Sequence, residues 1–156
     1  MFGTVANRFF LTCGSGEASN PLNAFDAALL DAGVGNTNLV RMSSILPPGA
    51  QAIESYEFPK GAMVPLAYGE LTSTEAGTLI SAAIAVGIPD EETEVGLIME
   101  HAMEGPREPC EETARNMVRE GMETVRGLSI RRIASISTSL TVRRVGTVFA
   151  AVVLCP

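Results

Sequence analysis

The chain has 156 residues, close to the size of one domain with a sizeable core, and its 46% hydrophobic and 19% charged composition suits a globular chain with much buried strand. A formal net charge of −7 opposes binding to phosphate backbones, and the acids crowded between Asp90 and Glu112 read first as a solvated face. Three cysteines without a CxxC spacing, a single histidine and no apolar run approaching ~20 residues exclude a disulfide framework, a zinc site and a membrane span, and predict a reducing, cytoplasmic setting.

Arg8 to Cys13 is a short apolar and β-branched run, ending at Gly14-Ser15-Gly16, that reads as a strand followed by a loop. A helix is expected next, capped by Ser19 or Asn20, with Pro21 in its first turn, Leu22, Phe25, Leu29 and Ala32 as its core face, and Gly33 as its stop. Thr37 to Ser44 reads as a second strand, and Gln51 to Lys60 as a polar excursion. Met63 to Leu71 is a strand that Pro65 places at an edge or marks with a bulge. Thr78 to Val86 is apolar enough to be buried on both faces, and Glu94 to His101 is a further strand. The spacing predicts a second helix over 109–126, with Ala114, Met117, Val118, Met122 and Val125 as its stripe, Glu111/Arg115 and Arg119/Glu123 as pairs, and Gly127 as its end. Ile130 to Leu140 and Gly146 to Leu154 are expected to form a hairpin around Arg143-Arg144. The order β-α-β-β-β-β-α-β-β, without repeats or linkers, predicts one α+β domain over 1–156 in which stacked β-sheets are flanked by helices.

His101 is the only histidine, and no GxSxG or phosphate-binding loop is present, so a hydrolase triad or nucleotide site has little to build on. The only lysine, Lys60, lies in a loop-like stretch and is a poor anchor for pyridoxal phosphate, so amine chemistry would need another carbonyl. Ser43-Ser44 can supply it. Attack of the Ser44 hydroxyl on the Ser43 carbonyl converts the amide to an ester, and β-elimination then cuts the chain. Dehydroalanine is left at position 44 and hydrolyses to a pyruvoyl group with loss of ammonia. The tetrahedral oxyanion needs a donor, typically worth ~3 kcal/mol. Asn38 shares the face of Ser44 in a regular strand, although the intervening chain would span roughly 20 Å unless it bends. The plain alternative is a strand that ends in a Ser-Ser pair before the Pro47-Pro48 turn.

The stretch NPLNAFDAALLDAGVGNTNLVRMSSILPP (20–48), followed in order by GAMVPLAYG (61–69), GTLISAAIAVGIP (77–89) and GLIME (96–100), resembles the pyruvoyl-dependent arginine decarboxylases. The resemblance implies cleavage between Ser43 and Ser44 into a β chain, 1–43, and an α chain, 44–156, headed by a covalently bound pyruvoyl group derived from Ser44. Neither pyridoxal phosphate nor a metal is then expected. It further implies that Asn38 assists processing, Glu100 protonates the product carbon, Asp26 receives the guanidinium group, and the new carboxylate of Ser43 stays beside the substrate's amine. L-arginine would become agmatine and CO2 through a Schiff base, in a trimer of αβ units with sites between protomers.

The residues themselves agree with these roles to different degrees. Glu100 ends the apolar run Leu97-Ile98-Met99, where desolvation favours a neutral carboxyl able to donate a proton; its alternative is a strand-end carboxylate in water. Asp26 flanks the expected core stripe of the first helix and could offer two parallel hydrogen bonds to a guanidinium; its alternative is an exposed helix residue. His101 points away from Glu100 in a strand, and the methionines of the second helix read as core filler. Decarboxylation of another basic amino acid such as histidine, or a non-catalytic oligomeric binding protein of the same fold, are the competing readings.

Overall fold

Strand β1 (Arg8–Ala18) runs straight through Gly14-Ser15-Gly16, where the sequence predicts a loop. The glycines are there for space rather than for a turn. A Cβ at Gly14 would lie 2.3 Å from the Ala28 carbonyl oxygen, and one at Gly16 would lie 2.5 Å from the Ala27 Cβ, because helix α1 (Pro21–Asp31) crosses directly over them. Residues 4–156 are described by the computed structural model.

The Asn20 side chain caps α1 by accepting from the Asn23 N–H at 3.0 Å. Ala24, Ala28 and Leu29 form its buried face. Leu22, expected in that face, is 75% exposed, because the close approach to β1 is made by the alanines Ala27, Ala28 and Ala32 further along the helix. The second strand is shorter than predicted. β2 (Asn38–Arg41) ends before Met42, and a two-residue strand, β3 (Ile45–Leu46), follows in a different sheet. A second short strand, β4 (Gln51–Ala52), precedes β5 (Met63–Ser73), β6 (Leu79–Pro89) and β7 (Gly96–Glu104).

Pro65 is not on an edge strand, since β5 lies between β2 and β9 (Val145–Cys155). It is tolerated because the β5–β9 ladder begins one residue later, at Leu66↔Val153. Helix α2 (Arg107–Arg119) continues into a π-helical turn, Glu120–Val125. The widened turn shifts the register, so Val125 is 74% exposed rather than part of the buried stripe. Arg119 pairs with Glu112 at 3.2 Å and with Asn116, not with Glu123. Gly127, at φ +66, ends the turn as expected.

β8 (Ile130–Thr141) and β9 do not form a hairpin: β8 pairs with β6, while β9 lies between β1 and β5. Arg143-Arg144 carries the chain from one sheet to the other, so that Ile136 and Leu140 of β8 pack across the layers on the core containing Val148 and Ala150 of β9. The first sheet has the order β2-β5-β9-β1-β4 and the second β3-β7-β6-β8. This is the expected α+β sandwich, with α1 on one outer face and α2 on the other. Phe9, Ile84, Ile98 and Val152 fill the space between the sheets, Phe10, Ala28, Val64 and Phe149 the space under α1, and Ala83, Ala114, Val118 and Met122 the space under α2. Each large apolar side chain so buried stabilises by ~1.5–3 kcal/mol. β6 is covered on both faces, as its composition implies. Among the described residues no helix is long and apolar enough to cross a membrane.

Candidate active site

Ser43 and Ser44 lie where the chain leaves one sheet for the other. The Met42 N–H donates to the Leu66 carbonyl at 2.9 Å, the last bond to β5, and the Ile98 N–H donates to the Ser44 carbonyl at 2.8 Å, the first to β7. The peptide between the serines therefore bridges two separately anchored ladders. Such anchoring restricts the conformations available to that bond and to the Ser44 hydroxyl beside it. Ser43 is exposed and Ser44 half-buried.

A pocket of about 250 Å³ opens at this crossing, lined by both serines with Met42, Ile98, Met99, Glu100 and Met117. It is an apolar concavity with a few polar groups, the usual make-up of a small-molecule site. Another concavity of about 250 Å³ lies past β3, beside Leu46, Pro47, Gln51, Glu92 and Arg131, and holds none of the catalytic or substrate-binding residues expected from the sequence. Among the described residues no cluster of three or more His, Cys, Asp or Glu could hold a metal ion.

Glu100 reaches the pocket from β7, opposite Ile84 of β6. Its side chain lies against Gly69 of β5, where an added Cβ would come 2.9 Å from the Glu100 Cβ. The wholly apolar setting expected for Glu100 is only half present: its side chain is 37% exposed, and Oε1 lies 3.6 Å from Nη2 of Arg41. Arg41 also donates from Nη2 to the Tyr68 carbonyl at 3.0 Å, and its guanidinium carbon sits 4.5 Å from the centre of the Tyr68 ring.

A sequence model of the pyruvoyl-dependent arginine decarboxylases matches residues 8–156. The chain belongs to this family. Relatives with that name include one from Methanocaldococcus jannaschii, 47% identical over 150 residues, covering 96% of this chain and 90% of the relative. Another, from Methanococcus maripaludis strain C6, is 47% identical over 148 residues, covering 95% and 90%. A third, from Pyrococcus abyssi, is 38% identical over 159 residues, covering 100% and 99%.

Of the residues that family resemblance singles out, the pocket gathers Ser43 and Ser44 from the β2–β3 crossing and Glu100 from β7, far apart in sequence. Asn38 and Asp26 stand outside it. Asn38, exposed at the start of β2, donates from Nδ2 to the Gly61 carbonyl at 2.9 Å. Asp26 is exposed on α1, between Leu22 and Leu30, which are 75% and 53% exposed at helical spacing on either side of it. Half-buried His101 is tied through its backbone carbonyl, which accepts from the Cys110 thiol at 3.3 Å.

Sequence reasoning missed Arg41, Gly69 and Met117. Met117, read as core filler, is 36% exposed and forms a wall of the pocket, because the core under α2 is already filled by Cys110, Ala114, Val118 and Met122. A glycine inside a strand is a signal of close approach and could have drawn attention to Gly69. An arginine following the apolar pair Leu39-Val40, three residues before Ser44, was the corresponding signal for Arg41.

Proposed function

We propose that this chain cuts itself between Ser43 and Ser44 and then decarboxylates L-arginine to agmatine and CO2. The observation that carries the proposal is the bridging serine pair, held between two sheets in a pocket that also contains Glu100. Family membership supports arginine as substrate and a pyruvoyl cofactor, and the shared pocket supports roles for Ser43, Ser44 and Glu100.

In processing, the Ser44 hydroxyl attacks the Ser43 carbonyl, and elimination from the resulting ester leaves Ser43 as a new carboxylate. The bond from Ser44 O to Ile98 N–H keeps position 44 on β7 after the cut, and the β2–β5 pairing keeps 38–41 in the first sheet. A pyruvoyl group at position 44, when formed, supplies a carbonyl that takes up electrons as the substrate's carboxylate departs. Ser43 then presents its carboxylate to the substrate's ammonium group. Glu100, in the same pocket, delivers a proton to the product carbon, and Met99, Met117 and Ile98 keep that carbon in an apolar setting.

Asp26 belongs to a different part of the same machinery. Its place on an exposed Leu22–Asp26–Leu30 stripe supports a trimer in which one protomer brings this carboxylate to a neighbour's pocket to meet the guanidinium. Asn38, at the start of the strand that leads into the crossing, assists the cut.

Ser44→Ala tests the reading directly. The variant is expected to fold, to remain a single chain and to release no CO2 from arginine. Arginine turnover by Ser44→Ala would exclude a carbonyl made from this residue.

A further inference from the structure

Arg41 is held more firmly than an exposed arginine needs to be. Its guanidinium lies on the Tyr68 ring, bonds to the Tyr68 carbonyl and faces Glu100. That ring is itself fixed, with centroids 5.2 Å from Phe149 and 6.3 Å from Phe25. Half-exposed at 3.6 Å, the Arg41–Glu100 pair contributes little to stability. Its effect is directional: a cation held on the Tyr68 ring and carbonyl sets where the Glu100 side chain points. Gly69 completes the seat by leaving bare backbone beneath the Glu100 Cβ, at a distance no larger residue could keep.

We infer that Arg41 is a positioning residue which, with the space left at Gly69, holds the Glu100 carboxyl group toward the Ser43–Ser44 pocket. This rests on the role proposed above for Glu100. Arg41 precedes the expected cut and Glu100 follows it, so in the processed protein the pair joins the end of one fragment to the proton donor on the other. The parallel β2–β5 ladder, Asn38↔Met63 through Arg41↔Leu66, holds Arg41 in register whether or not the next peptide bonds are intact.

The test compares processed wild-type protein with Arg41→Ala, Arg41→Lys and Gly69→Ala by intact mass, kcat and KM for arginine, and repeats Arg41→Ala in a Glu100→Gln background. Arg41→Ala is expected to be cleaved yet to lose roughly tenfold to hundredfold in kcat with little change in KM, the scale of loss when a reacting group is misplaced. Arg41→Lys should recover part of that loss, and Gly69→Ala should repeat its pattern. In Glu100→Gln the added Arg41→Ala change should have almost no further effect, since the residue acts through Glu100. Wild-type kcat in Arg41→Ala, a loss confined to KM, or an equal loss in the Glu100→Gln background would overturn the inference while leaving the proposed reaction standing. An uncleaved wild-type protein that releases no CO2 from arginine would overturn both.

Discussion

At Glu111 the carboxylate on α2 accepts hydrogen bonds from Ser135, at 2.7 Å, and from Ser137, both on β8. Burial pushes its carboxyl up, but the two hydroxyls and the nearby Arg115 and Arg107 outweigh that and hold it below the ordinary value of 4.5. The folded state thus prefers the carboxylate, so the stabilisation is complete above the unfolded value and is lost as pH falls through the folded one. Glu111→Gln is expected to cost about 1 kcal/mol near neutrality, because a neutral acceptor replaces a charged one at a half-exposed site. Denaturant titrations of both proteins should show that deficit shrinking as pH drops below about 4; a constant deficit would remove the charge from the explanation. The i,i+4 pattern pointed to an Arg115 partner for Glu111, and Arg115 does bear on it, but the serines of β8 could not be foreseen without knowing which strand lies beneath the helix. Glu100 shows the same limit: its acid and its apolar neighbours are visible in the sequence, whereas Arg41 reaches it only through the fold.

For the elements, existence and type were more legible than ends and partners. Period and capping residues locate α1 and α2, and the apolar run of β6 announces its double burial. Glycines were misread where they serve space: Gly14 and Gly16 suggest a loop by composition, yet they are the groove in which α1 lies. Gly14→Ala would drive a methyl into the Ala28 carbonyl oxygen and the Ala32 nitrogen, at 2.3 and 2.6 Å, and backbone cannot rotate aside as a side chain can. The expected cost is ~2–4 kcal/mol, a fall in Tm of roughly 5–15 °C for a chain of this size. Thermal denaturation of Gly14→Ala near the wild-type midpoint would mean that α1 is less tightly seated than its contacts imply. Strand pairing was the least legible feature, since β8 and β9 are adjacent in sequence and short in connection, and only the apolar faces they turn toward each other place them in separate sheets.

Across the whole molecule, the two-sheet architecture explains why the run from Asn38 stops at paired serines. The second strand ends because the chain changes layers, and position 44 takes its first bond from β7 while position 42 makes its last to β5. The local sequence Arg-Met-Ser-Ser-Ile-Leu-Pro-Pro shows the paired hydroxyls, but not the fact that they share a pocket with Glu100. Asp26 was legible as a carboxylate of the right kind, but the fold leaves it exposed on α1 and outside that pocket's lining. All of these roles depend on scission at the crossing. Intact-mass spectrometry of freshly purified, denatured protein is the most direct measurement: two polypeptides are expected, 1–43 and 44–156, the second lighter by one ammonia than a serine-headed chain and gaining two hydrogens after borohydride reduction. One species at the full 16.4 kDa, unchanged by borohydride, would contradict it.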